Sequence, residues 1–363
     1  MKKLILLILS LVVIVALVFA GIALTNYFEN KQASTTVYNS NVIYNTTYDV
    51  QNRYACLHND LIITTTTGTS AINASGKVLW QVPTSCSNPK LQVAGDYILV
   101  ADINGSNLYV IKNKKLAFTK TLSDKIYNAQ INKNGYVAVS TTADGYSSKV
   151  SVMSNSGDEI YYYGISNDFA IDAIVSPNNK NLAVATYGSE NGQIIGGVAF
   201  ANLGSQTITS NPTFTNLVIS NVEYMSNGDL LAIGDTAALY YDNKGKNLWT
   251  YKYQNQVLSS FISGGTSGIS LLFNNSVGTQ TYKFINSKGS ESESKDLDFI
   301  PKQISGNINN SIITGDRKFI TVSKTGNVSL TFNLSKDFSS VSFAENGRYF
   351  YGISGDNIEL VKI

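Results

Sequence analysis

Histidine occurs once in this 363-residue sequence, at position 58, cysteine twice, at 56 and 86, and arginine only at 53, 317 and 348. A single histidine excludes zinc coordination by several imidazoles. A Ser-His-Asp arrangement would have to use His58, which stands beside Asn59 and Asp60, where turn polarity is the plainer reading. No cysteine lies near the N-terminus to carry a lipid. Charged residues make up 14% of the chain, well under the roughly 25% of an ordinary soluble domain. The net charge is only +2, and no basic stripe is interleaved with aromatics, so no nucleic-acid partner is expected. Lys112, Lys114 and Lys115, the densest basic group, read as a solvated turn and strand edge. The Asn, Ser, Thr, Gly and Tyr that stand in place of charge suit many short strands joined by polar turns, not disorder.

One long hydrophobic run is present. Met1-Lys2-Lys3 precedes an uncharged apolar stretch from Leu4 to Leu24, which at about 1.5 Å per residue is long enough for a bilayer core and longer than a signal-peptide core. The reading is a retained signal anchor, a transmembrane helix within residues 1–28 that meets the lipid bilayer through residues 4–25. Cleavage after Ala20 is the alternative. The two lysines place the N-terminus on the cytoplasmic side, so everything after Phe28 is expected outside the cytoplasm, on the cytoplasmic membrane of a single-pass protein. Residues 29–40 are small and polar and read as a tether.

The rest of the chain repeats. Leu61–Gln81 gives a β-branched run, a break at Gly68, a second run, a turn at Ala74-Ser75-Gly76 and a third run containing Trp80. The same grammar returns at Leu230–Thr250, Ile269–Gly289 and Ser311–Phe332, with weaker copies between them. Second strands fall near 61, 97, 136, 182, 230, 269, 311 and 349, a period of about 40 residues that suits four-stranded propeller blades. The fold class is therefore all-β, an eight-bladed β-propeller over residues 41–363, with seven blades as the alternative.

The last unit, Ser339–Ile363, has room for three strands and lacks its fourth. A spare extended run at Asn41–Tyr48 has no blade of its own, and an unpaired edge strand is costly. The expectation is that this run becomes the outer strand of the last blade and closes the ring. Trp80 and Trp249 each follow a turn glycine by four residues and are expected to pack between adjacent blades. Two cysteines outside the cytoplasm permit one disulfide, Cys56–Cys86, whereas their expected places, at the end of an inner strand and in a crossover, argue for opposite rims and two free thiols; both readings stay open.

This organisation resembles the PQQ-like (quinoprotein-type) and WD-repeat β-propellers. Gly76-Lys77-Val78-Leu79-Trp80 and Gly245-Lys246-Asn247-Leu248-Trp249 look like the Gly-x-x-x-Trp end of a PQQ-type repeat, and Ser340–Ile353 looks like the opening of a WD-type blade. With its N-terminal anchor the chain is similar to a family of membrane-anchored propellers of Gram-positive bacteria. Quinoprotein dehydrogenases bind their quinone with adjacent cysteines and a calcium site; here the two cysteines are isolated, so the resemblance does not extend to a cofactor. No catalytic, cofactor-binding or metal residues are assigned. The functional expectation is a non-catalytic extracytoplasmic binding or scaffolding propeller that contacts an envelope protein or a cell-wall polymer. The alternative is a glycan hydrolase with acids in the axial channel, for which Asp49, Asp172 and Glu223, at or before inner strands, are the candidates.

Overall fold

The structure, a computed structural model, describes residues 14–21, 36–275, 280–307 and 309–363. Residues 14–21 of the apolar run are helical; the rest of the expected anchor, and the tether as far as residue 35, lie outside the described residues. No helix among the described residues is long and apolar enough to cross a membrane.

From residue 36 onward the described residues are strand and turn, apart from one short 3-10 helix at Gly265–Ser267. Two short strands come first, β1 (Val37–Tyr38) and β2 (Ser40–Asn45), and their partners come last. Blade 1 is β3 (Arg53–Leu57), β4 (Asp60–Thr64), β5 (Gly68–Ile72) and β6 (Val78–Pro83). Blade 2 is β7 (Pro89–Ala94), β8 (Tyr97–Asp102), β9 (Asn107–Lys112) and β10 (Lys115–Thr121). Blade 3 follows with β11 (Ile126–Ile131), β12 (Val137–Thr141), β13 (Ser148–Met153) and β14 (Glu159–Ile165). Blade 4 holds β15 (Phe169–Val175), β16 (Asn181–Glu190), β17 (Gln193–Asn202) and β18 (Thr207–Ser210), with β19 (Thr213–Thr215) added to the far end of β17. Blade 5 is β20 (Ile219–Tyr224), β21 (Leu230–Gly234), β22 (Ala237–Tyr241) and β23 (Asn247–Lys252). Blade 6 is β24 (Val257–Ser263), β25 (Gly268–Asn274), β26 (Gln280–Asn286) and β27 (Glu291–Leu297). Blade 7 has β28 (Gln303–Gly306), β29 (Asn310–Gly315), β30 (Lys318–Ser323) and β31 (Phe332–Leu334), and blade 8 has β32 (Ser340–Phe343), β33 (Tyr349–Ser354) and β34 (Asn357–Lys362).

Eight sheets therefore stand where the sequence period put eight units. Their first strands neighbour one another around the axis, and β3 of blade 1 touches β32 of blade 8, so the series returns to its start. The core has the same symmetry. Eight hydrophobic clusters occupy the eight interfaces, one between each blade and the next, including one between blades 8 and 1. A closed ring without a central core must bury its apolar side chains in this way, between sheet faces.

One turn recurs between the third and fourth strands. Asn73, Asp242 and Asn286 each accept, through a side-chain oxygen, the backbone N–H two and four residues ahead. The fourth residue of each turn, Gly76, Gly245 or Gly289, is left-handed, a conformation glycine adopts without strain. The glycine also lets the turn press against the preceding blade: a Cβ on Gly289 would stand 2.6 Å from the Trp249 ring. Trp249 stacks on Tyr240 at 5.1 Å and donates from Nε1 to the Ser287 carbonyl at 3.1 Å. Trp80 packs into the cluster between blades 1 and 2. Both tryptophans are thus interblade residues.

Blade 8 takes its outer strand from the other end of the chain. β2 runs antiparallel to β34, with Ser40 opposite Val361 and Asn45 opposite Asn357. Ser40 Oγ donates to Glu359 Oε2 at 2.5 Å, and Lys336 Nζ reaches Oε1 of the same buried carboxylate. One step earlier the sequence reading needs correction. Val37 and Tyr38, assigned to the tether, form a parallel strand on β31 of blade 7, and the Tyr38 ring meets Phe319 at 5.2 Å and Phe332 at 5.5 Å. A two-residue parallel strand has no periodicity to read. Both cysteines are free thiols.

Candidate functional site

The inner strands of blades 3, 4 and 5 read IYNAQI, FAIDAIV and ISNVEY, and each carries a register shift just before its amide or acid, at Ile126/Asn128, Ala170/Asp172 and Ile219/Asn221. A bulge bends its strand and re-aims the side chain that follows. Here the result is a polar network among the inner strands. Asp172, with no exposed surface, accepts from Asn128 Nδ2 at 2.7 Å on one oxygen. Its other oxygen accepts from the Val222 N–H at 3.0 Å, from Asn221 Nδ2 at 3.1 Å and from Gln130 Nε2. Lys90, from blade 2, donates to Asn128 Oδ1. Burial pushes the Asp172 carboxyl above its ordinary range while Lys90 opposes the shift, and burial holds the Lys90 ammonium below its own. The network joins four consecutive inner strands.

Glu223, two residues beyond Asn221, lines a cavity of about 340 Å³ among the inner ends of blades 5, 6 and 7, bounded by Met225, Phe261, Ser263, Gly306 and Asn307. Desolvation pushes its carboxyl up to about 7, Asp172 adds to the shift and Ser263 opposes it. A second cavity of about 410 Å³ adjoins, sharing Ile262, Gly306 and Asn307, and is lined by Tyr54, Cys56, Gln303 and Ser305. Asn307 Oδ1 accepts from the Asn309 N–H at 2.8 Å, which fixes its amide, and Asn307 Nδ2 has no hydrogen-bond partner among the described residues. The space is polar, wide enough for water or a small polar group, and is lined by two acids, Glu223 and Glu345, the latter tied to the His58 turn through the His58 N–H at 2.9 Å.

The three sequence candidates do not form a catalytic pair. Asp49 sits in an entry turn, where its Oδ1 accepts from the Gln51 N–H at 2.8 Å. Asp172 and Glu223 are neighbours, but a glycosidase needs both carboxylates facing one sugar ring, and the Asp172 oxygens are occupied by amides and fully buried. Burial pushes the Cys56 thiol far up and the Cys86 thiol to about 12, so neither is a thiolate at neutral pH. His58 stays in its turn, 3.2 Å from Asp96 and 3.6 Å from Glu345, linking the first hairpins of blades 2, 1 and 8. No group of His, Cys, Asp and Glu fit for a metal occurs among the described residues. The sequence reading named Asp172 and Glu223 but missed Asn128, Gln130, Asn221 and Lys90. Their signal was an amide or acid at one place in three successive inner strands.

Residues 30–363 match the Family of unknown function (DUF5711). The chain belongs to this family. No curated protein matches it. Among solved structures, the C-terminal WD40 domain of Sif2 superposes with a TM-score of 0.64 at 13% identity, covering 90% of this chain and 99% of that one. BamB from Moraxella catarrhalis superposes with a TM-score of 0.53 at 11% identity, covering 89% of this chain and 97% of that one. At such identities the likeness is one of fold, and it puts the chain among WD-like and PQQ-like propellers as its repeats implied.

Proposed function

We infer that this protein is a non-catalytic binding or scaffolding propeller, tethered to the outer face of the cytoplasmic membrane by the Leu4–Leu24 run and contacting an envelope protein or a cell-wall polymer. The observation that carries the reading is the state of the axial acids. Asp172 is consumed in holding four blades together and Glu345, the other acid of the adjoining space, is tied to the His58 turn, so neither is free to serve as the partner of Glu223 in glycan hydrolysis. Propellers host catalysts and scaffolds alike, and a network given over to holding blades together favours the binding reading.

Exposed aromatic surface gathers instead on blades 3 and 4. Tyr127, Tyr146, Phe169 and Tyr187 are all exposed, and Phe169 stacks on Tyr187 at 5.5 Å. The long β16–β17 hairpin carries Tyr187 and the exposed Ile194. Aromatic side chains of this kind give large contact area at small entropic cost.

The test is capture from solubilised envelope and co-sedimentation with purified cell wall, using the full chain and a Phe169→Ala/Tyr187→Ala variant. Retention by the wild type and its loss in the variant supports the reading. Hydrolysis of wall glycan that disappears in Glu223→Gln would overturn it. Protease digestion of the propeller in intact spheroplasts tests the orientation.

A further inference from the structure

Trp80, Phe118 and Trp249 hold one place in the ring, each the first paired residue beyond the irregularity in its blade's outer strand. Two of the three are covered by the turn between the third and fourth strands of the next blade. A Cβ on Gly157 would stand 2.8 Å from the Phe118 ring, and Gly289 presses on Trp249 in the same way. Blade 2, the neighbour of Trp80, has no such turn. Its hairpin closes in two residues, Asn113 and Lys114, both left-handed at φ 51° and 66°, with no glycine to press on the indole. Trp249 stacks on Tyr240 and donates to Ser287, whereas Trp80 has neither a ring partner nor an acceptor among the described residues. A cleft of about 260 Å³ stands over it, between blades 1 and 2.

The cleft joins an apolar wall to a polar mouth. Ile62, Ile98 and Ile111 line it beside Trp80, and His58, Asp96 and Lys114 are exposed around it. Asp60, half-buried among them, accepts no side-chain hydrogen bond among the described residues. Burial holds its carboxyl above the ordinary range, while Lys114 and His58 oppose the shift. Asp96 faces His58 at 3.2 Å, and Lys112 Nζ donates to Tyr97 OH at 2.8 Å. Two carboxylates thus share the cleft with two ammonium groups, so a charged ligand would gain from one sign what it lost to the other. A neutral hydroxylated ligand has no such conflict. Its hydroxyls can donate to Asp60 and accept from Lys114 and the Trp80 N–H, while its C–H surface packs on the indole and the isoleucines. We propose that this cleft binds a single neutral sugar ring, seated on Trp80 with its hydroxyls on Asp60 and Lys114. The proposal goes beyond the binding role inferred above, because the exposed aromatics of blades 3 and 4 take no part in it.

The experiment uses the full chain in micelles of a detergent without a sugar headgroup. The sequence has two tryptophans, so Trp249→Phe leaves Trp80 as the sole indole reporter. Glucose, galactose, mannose and N-acetylglucosamine are titrated one at a time. At least one should shift the Trp80 emission to the blue and shield it from acrylamide, saturably, with half-saturation in the millimolar range that suits one ring in an open cleft. Isothermal titration calorimetry of the wild type should give the same affinity. Asp60→Asn should weaken binding by about tenfold or more, since a sugar hydroxyl loses its charged acceptor. Near-UV circular dichroism checks that each variant is folded. Phe169→Ala/Tyr187→Ala should bind the sugar as the wild type does, which separates failure here from failure of the aromatic surface on blades 3 and 4. No saturable response to any of these sugars, an unchanged affinity in Asp60→Asn, or loss of sugar binding in Phe169→Ala/Tyr187→Ala would each overturn the proposal. So would a cleft that takes up glycine or inorganic phosphate and no sugar.

Discussion

Blade 5 and blade 8 are built to one plan from differently connected chain. Blade 5 runs unbroken from Ile219 to Lys252, and its outer strand is delivered by the five-residue turn Asp242–Lys246, so ordering it costs little loop entropy. Blade 8 takes three strands from the C-terminus and its fourth from residues 40–45, some three hundred positions earlier. No short turn holds that strand. Non-covalent contacts replace it: the β2–β34 ladder, Ser40 and Lys336 on Glu359, Tyr38 between Phe319 and Phe332, and Ile43 beneath Gly76 of blade 1. The difference teaches that a ring of near-equal blades has one interface that can open without breaking a blade elsewhere. Stability lost at the seam should be lost for the whole ring, whereas damage inside blade 5 should be local in origin.

The largest expected effect comes from removing the seam. Deletion of residues 36–45 should cost about 5 kcal/mol or more, through lost ladder hydrogen bonds and apolar contacts, and should promote aggregation by exposing β34. Denaturant unfolding and light scattering measure both. Inside blade 5, Trp249→Ala should cost about 3–5 kcal/mol through the cavity left between Tyr240 and Gly289, with the ring still closed. Chemical denaturation gives the loss, and unchanged sedimentation shows the closure.

Tyr38→Ala should cost less, about 1–3 kcal/mol, because the ring lies at an edge and only part of its surface is buried. Its loss should appear as faster hydrogen exchange in β31 and β34 before any change in blade 5. The smallest effect concerns pH. Glu223 titrates near 7 in the folded chain against an ordinary 4.5, so between those values the folded state holds a proton that the unfolded state has released. Its contribution is fully present below about 4.5 and is lost as pH rises through about 7. The Tm of the wild type relative to Glu223→Gln should therefore rise as pH falls from 8 to 5, and a flat difference would show that water reaches Glu223 freely.

Much of the ring was legible in the sequence because each blade repeats a period-2 pattern between glycine turns. The second strands read near 61, 97, 136 and 230 begin at Asp60, Tyr97, Val137 and Leu230. The missing strand was legible as well, since Val42–Tyr44 had no partner in its own unit and Ile358–Ile363 had an empty edge. β1 was not, because two residues carry no pattern. Nor was β19, which adds to the extended end of the β16–β17 hairpin that the reading took as a longer inner loop. The polar network escaped for a different reason. Asn128, Asp172 and Asn221 stand on separate strands, and only the curvature of the ring brings them within hydrogen-bond distance.

Closure by the N-terminal strand is the central claim, and a single cysteine pair tests it. Asn45 and Asn357 are Cα partners at the end of the β2–β34 ladder, away from the irregularity between Val42 and Tyr44. In Asn45→Cys/Asn357→Cys the native protein should oxidise to an intramolecular disulfide in high yield, migrate faster without reductant and unfold at a higher denaturant concentration, because the bridge closes a loop of several hundred residues. If the thiols stay reduced in the folded protein, or link only between molecules, the outer strand of blade 8 is not residues 40–45 and the account of the ring is wrong.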